Sequence, residues 1–330
     1  MIEIAVTELE YRKAKSVFDS AGAKGFHCVS APASEVELAA FVREHNIAHA
    51  IVGVETYTGA LYDALAEGGV LARFGVGHDT IDKRRATKAG LFCTNTPGAL
   101  DDSVAEYTLA LMLAAARGLP GLVRDTQAGG WEPIVGAELR GKTLAVIGCG
   151  PIGCRVAEIA AFGFKMHVIG CEIRTVDAEI MRKQHGFAEI VADFADAVRN
   201  ADFVSLHIPS SRATEHFINR DRPAQLRANA WLINTARGAI VDEQALYDAL
   251  TERTLAGAAL DVFENEPYRP VDPEKDLRTL PNVIATPHVA SSTQEACNRM
   301  AEQALANIVL AGNGQHQRMN LLNPEVLQAR

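Results

Sequence analysis

The sequence predicts an α/β protein built on parallel sheets, and three observations carry that prediction. Short apolar runs of strand length alternate with helix-like segments from end to end, the order in which a parallel sheet is wrapped by helices. The chain has 330 residues, enough for two domains with cores of ordinary size. Its hydrophobic share of 48% and charged share of 22% are those of a globular protein that keeps company with water.

In the first hundred residues the expected strands are "EIAV", "HCVS", "AHAIVG", "LARFGV" and "LFCTN", with helical patterns such as "SEVELAAFVREH" between them. The pattern changes at "DDSVAEYTLALMLAAARGL". Ser103 with Glu106 three residues on reads as a capping box, and the helix that follows is apolar on nearly all sides, so we expect it to be buried between domains or subunits. After the loop "AGGWEPIVGAELRGK" a more regular alternation begins, with six expected strands: "TLAVIG", "MHVIG", "DFVSLHI", "AWLIN", "LAGAALDV" and "NVIAT". Six is the count of a full doubly wound nucleotide-binding sheet. Ser292 and Glu295 read as a second capping box, opening a helix that Gly312 should stop. We expect one domain at 1–100 with 290–330, and another at 101–289.

Charge and cysteine content exclude several roles. Lys plus Arg number 32 against 41 Asp plus Glu, a net charge of −9 that repels phosphate backbones and anionic membranes. The start, "MIEIAVTELEYRKAK", lacks the layout of a secretory signal, and the longest apolar run is too short for a membrane span. The six cysteines form no CxxC pair and lie mostly in apolar runs, as reduced cytoplasmic core residues do. The ten histidines are scattered and show no metal-binding spacing, so no metal is expected.

The strongest local signal is "TLAVIGCGPIGCRVAEIAAFG". Gly148, Gly150 and Gly153 stand in the GxGxxG arrangement, behind an apolar strand and, with Pro151 and Ile152, at the opening of a helix. That context suits a dinucleotide: the first glycine allows the turn, the second lets pyrophosphate approach, the third lets helix and sheet lie close. The helix N-terminus offers amide donors to the phosphates. An acidic residue some way on would take the ribose hydroxyls, and Glu172 is the candidate. A register anchored on Phe162 and Gly163 instead puts Gly170 there, with Arg174 at hand for a 2′-phosphate, so NAD is favoured and NADP stays open.

Ligands of a doubly wound sheet sit beyond the carboxyl ends of its strands. Arg237 follows "AWLIN", Asp261 and Glu266 follow "LAGAAL", and His288 follows "NVIAT". Reduction of a 2-oxo acid needs a cation for the carboxylate, which an arginine fork grips in two places. It needs a proton donor near neutral pH, as histidine is, and a carboxylate to orient and favour the protonated ring. Arg237, His288 and Glu266 fill those places, and Asp261 would accept from the nicotinamide carboxamide. His207 reads as either a cofactor-cleft residue or a packed histidine.

Taken in order, "RFGVGHDTID", "NTPGALDDSVAEYTLALMLAAAR", the GxGxxG loop, "SLHIPS", "INTARGAIVDEQAL", "ALDVFENEP" and "TPHVASST" resemble the D-isomer-specific 2-hydroxyacid dehydrogenase family over nearly the whole chain. The resemblance implies two doubly wound domains, a Rossmann-like cofactor domain and a flavodoxin-like substrate domain, with a cleft between them. It implies a homodimer formed near the helix that begins at Ser103. It also implies the catalytic set Arg237, Glu266 and His288, a substrate-carboxylate loop at Val76 and Gly77, and cofactor-side positions at Thr108, His207, Pro209, Thr214, Thr235, Ala236 and Asp261. The expected activity is hydride transfer between NAD, with NADP open, and C2 of a small 2-hydroxy or 2-oxo acid, of glyoxylate/hydroxypyruvate or phosphoglycerate type. The competing reading is a dinucleotide-sensing corepressor of the same fold.

Overall fold

The computed structural model describes residues 1–328, and among them the chain divides into two compact units, Met1–Leu100 with Ser292 onward, and Asp101–Ser291. The first unit holds five parallel strands, β1 (Ile2–Thr7), β2 (Phe26–Ala31), β3 (His49–Val52), β4 (Val70–Arg73) and β5 (Phe92–Thr94), in the order β2-β1-β3-β4-β5. That is the flavodoxin-like order. The helix Gln294–Gly312 packs on β4 and β5, which is why the end of the chain belongs to the unit formed by its beginning.

The second unit holds seven parallel strands: β6 (Thr143–Ile147), β7 (His167–Cys171), β8 (Phe187–Val191), β9 (Phe203–Leu206), β10 (Trp231–Asn234), β11 (Gly257–Leu260) and β12 (Val283–Ala285). Their order is β12-β11-β10-β9-β6-β7-β8, the Rossmann arrangement with one strand added beyond the sixth. Alternate strand residues face opposite sides. Ala145, Ile147, Val204, Leu206 and Leu232 pack in one core cluster, and Leu144, Val146, Phe203 and Ile233 in the other. Each fully buried aliphatic or aromatic side chain contributes roughly 1.5–3 kcal/mol, so both faces hold the sheet, and its carboxyl edge is left for polar groups.

Four expectations need correction. The second unit has a seventh strand, β8, whose Ala188 and Glu189 are exposed because it lies at the sheet edge. The helix expected to start after Ser103 runs Asp101–Arg117, which puts Ser103 inside its first turn. At the last helix the N-cap is Thr293, whose hydroxyl accepts from the Ala296 amide, and not Ser292. Gly312 is that helix's last residue. The chain reverses at Gly314, with φ 67°, where Gln315 N donates to Leu310 O and Gly314 N to Ala311 O, the paired bonds of a left-handed helix stop. Among the described residues, no helix is long and apolar enough to cross a membrane.

Candidate active site

The glycine loop leaves β6 with geometry that other residues would not tolerate. Gly148 has φ 97°, and a Cβ there would lie 2.7 Å from the His207 carbonyl oxygen. A Cβ on Gly153 would lie 2.1 Å from the Gly148 carbonyl, so this glycine sets how closely the helix Pro151–Glu158 approaches the strand. Nothing stands within 4 Å of a Cβ on Gly150. A tight turn, an open face and a close helix are what a pyrophosphate cradle needs, so these residues fit a dinucleotide.

The register of β7 decides between the two candidates for the acidic position. Gly170 is inside the strand, where a Cβ would meet Ile190, Cys149 and Phe187. Glu172 stands just past its carboxyl end. Its carboxylate accepts from the backbone of Cys149, within the glycine loop, at 3.2 Å, and from the Arg174 guanidinium at 2.6 Å. The Arg174 hydrogen bond, working against burial, holds the Glu172 carboxyl down at about 2. A permanent carboxylate thus lies beside the cradle.

The other named positions of this unit lie beyond successive strands. His207 follows β9 with Nε2 2.8 Å from Ser205 Oγ, and burial pushes its ring down to about 4. The neighbouring loop closes on itself, Thr214 Oγ1 donating to the Pro209 carbonyl at 2.6 Å. Thr235 follows β10 and meets Thr108 hydroxyl to hydroxyl at 2.9 Å. Asn234, buried at the end of β10, receives the Ala236 amide and donates to the Arg237 carbonyl, which shapes the turn that presents Arg237. The sequence reading did not include Asn234, although it stands directly before "TARG".

Glu266 and His288 meet. His288 Nδ1 lies 2.6 Å from Glu266 Oε2, and Glu266 Oε1 accepts the Phe263 amide at 3.1 Å. Burial works to raise the Glu266 carboxyl, but His288, the Phe263 amide and the charge of Arg237 outweigh it and hold the carboxyl below its ordinary value. Arg237 is thus near enough for its charge to act on the pair. Gly238 explains the proximity: a Cβ there would fall 1.9 Å from the Phe263 carbonyl carbon, so the arginine turn lies directly against the loop bearing Glu266.

Asp261, wholly buried at the end of β11, is occupied by the turn that carries His288. Its oxygens accept from Thr286 Oγ1 at 2.7 Å and from the Val289 and Ala290 amides at 3.0 and 2.8 Å, while its carbonyl accepts the His288 amide at 2.7 Å. Burial raises the Asp261 carboxyl. His288 itself has φ 53°, a left-handed conformation that a non-glycine residue keeps only when its surroundings impose it. In the first unit, Val76 and Gly77 follow β4 in a loop fixed by Asn95 Nδ2, which donates to the Val76 carbonyl at 2.8 Å. Among the described residues, no three His, Cys, Asp or Glu side chains are grouped to hold a metal.

Comparison with known proteins accounts for this arrangement. Residues 109–290, over half of the chain, match the family described as D-isomer specific 2-hydroxyacid dehydrogenase, NAD binding domain. The chain is 37% identical over 276 residues to a glyoxylate reductase of Korarchaeum cryptofilum, covering 82% of this chain and 80% of that one. It is 44% identical over 230 residues to a D-3-phosphoglycerate dehydrogenase of Methanocaldococcus jannaschii, covering 69% of this chain but 42% of that longer protein. Among solved structures, the NADPH-dependent glyoxylate/hydroxypyruvate reductase of Sinorhizobium meliloti superposes with a TM-score of 0.79 at 29% identity, over 94% of each chain. Strand order, glycine loop and these likenesses agree, and the chain belongs to the D-isomer specific 2-hydroxyacid dehydrogenases.

Proposed function

We propose that the protein reduces a small 2-oxo acid of glyoxylate/hydroxypyruvate type, with NAD as its preferred cofactor and His288 as the proton donor. The observation that carries this reading is the 2.6 Å contact between His288 Nδ1 and Glu266 Oε2, made at the carboxyl edge of the sheet that bears the glycine loop. With Nδ1 held by a carboxylate, the ring is fixed in orientation and Nε2 is the atom that serves the substrate. Arg237 grips the substrate carboxylate and polarises the carbonyl beside it. Glu266 favours the protonated imidazole, and Asp261 fixes the turn that aims it.

Gly148, Gly150, Pro151, Ile152 and Gly153 would hold the pyrophosphate, with Thr108, His207, Pro209, Thr214, Thr235 and Ala236 beside the bound cofactor. Bound nicotinamide supplies the hydride. The charge of Glu172 beside the loop suits the ribose hydroxyls of NAD and repels a 2′-phosphate. The Korarchaeum relative supports the substrate class.

Two further parts of the reading concern the protein's surroundings. A homodimer is supported by the segment after the helix Asp101–Arg117: the helix Leu119–Gln127 buries no residue, and Trp131 and Val135 are 88% and 101% exposed. An apolar surface of that kind ordinarily meets a partner. Six free, buried cysteines support a reducing compartment, the cytoplasm.

The test is NADH or NADPH oxidation with glyoxylate, hydroxypyruvate, phosphohydroxypyruvate and bulkier 2-oxo acids. The expected result is turnover of the smallest acids, faster with NADH, and a fall of about 10²–10⁴-fold in His288→Ala with NADH binding intact. Undiminished turnover in that variant overturns the proton-donor role.

A further inference from the structure

Behind the Glu266–His288 pair lies a second carboxylate contact. Glu243, the first residue of the helix Glu243–Thr251, accepts the Glu264 amide on Oε1 at 2.6 Å, and Glu264 Oε1 accepts the Glu243 amide at 3.0 Å. The two glutamates therefore clasp each other's backbone, and Glu264 is two residues from Glu266 in the same loop. Glu243 is 4% exposed, and its Oε2 is buried with no hydrogen-bond partner.

We propose that Glu243 is a positioning residue for the reaction, holding the Glu266 loop through Glu264, and that it does so as the uncharged acid. The argument is one of charge. Three carboxyl groups, those of Glu243, Glu264 and Glu266, gather in one corner. Glu264 has the helix N-terminus and His216, whose Nε2 is 3.0 Å from its Oε2, and both favour a negative charge. Glu266 has His288 and the Phe263 amide. Glu243 has one amide on one oxygen and nothing on the other, and a bare buried charge is far costlier than a buried neutral acid. The proton therefore resides on Glu243.

The ionisable groups facing Glu243 from the packed loop are Glu264, Glu266 and Tyr268, with His216 behind Glu264. Burial first, then the charges of Glu264 and Glu266, push the Glu243 carboxyl up to about 7. Two readouts follow. In the first, Glu243→Gln keeps an oxygen for the Glu264 amide and carries no charge, so its kcat stays within about twofold of the parent. Glu243→Ala releases the loop and loses about 10- to 100-fold in kcat, with KM for NADH little changed.

The second readout needs no turnover. A carboxyl raised in the folded state contributes stability that is present below its ordinary value of 4.5 and lost as pH rises toward about 7. The glutamine variant loses nothing in that window. The Tm of Glu243→Gln minus that of the parent should therefore grow between pH 4.5 and 8. The proposal is overturned by a gap that stays constant with pH, by a glutamine variant as slow as the alanine one, or by an alanine variant with parental kcat. If Glu243→Ala does not fold, the two glutamine measurements decide. The inference rests on the assigned role of Glu266, and the pH dependence of Tm tests the proton on Glu243 even if that role fails.

Discussion

Glu266 shows how little a single side chain does alone. An isolated carboxyl with its burial would resist ionisation, and the partner imidazole, one amide and a nearby guanidinium reverse that preference. Stability linked to this lowered carboxyl is present above its ordinary value and is lost as pH falls through the folded value. Exchanging Glu266 for Gln removes the charge that favours the protonated ring. The pH above which 2-oxo acid reduction declines should then move down relative to the parent, as read from a kcat profile between pH 5 and 9; a profile superimposable on the parent's contradicts the pairing. Arg237, Glu266 and His288 are legible in the sequence because each follows a strand within a distinctive local motif. The Glu243–Glu264 clasp is not, since a charged residue in a polar stretch is ordinarily solvated and only the fold sets these two backbones side by side. Asp261 is legible as a strand-end acid, but its engagement with residues 286–290 appears only in the folded chain.

Among elements, the strands that stand inside the sheet are readable as continuous apolar runs, because both of their faces are covered. β8 escapes that reading. One neighbour and an exposed flank leave "FAEIV" with a glutamate in its middle. Helix starts shift by one or two residues because several adjacent residues can cap, and the turn geometry selects among them. The close contact of the Arg237 turn and the Glu266 loop makes Gly238 a sensitive joint. Gly238→Ala inserts a methyl group against the Phe263 carbonyl, and the separation it forces should cost about 1–3 kcal/mol of stability. The same change should lower kcat by more than it raises KM for cofactor. Calorimetry and steady-state kinetics on the variant check both, and a variant with parental Tm and kcat refutes the joint.

At the scale of the molecule, the net charge of −9 and the absence of basic clustering suit a small-molecule enzyme, and the exposed apolar segment around Trp131 and Val135 suits self-association. Light scattering on a sizing column should report twice the chain mass. Replacing Trp131 and Val135 with serine should shift that mass toward the monomer, and a parent protein that runs as a monomer defeats the homodimer. The six positions Gly148, Glu172, His207, Thr235, Asp261 and His288 each hang from a different strand end, while the apolar weight that keeps the sheet together resides in the strands themselves. Preference for one acid or one nucleotide over another can therefore drift by exchanging a few rim residues, and a gene copy could acquire a new specificity while its stability stays nearly where it was.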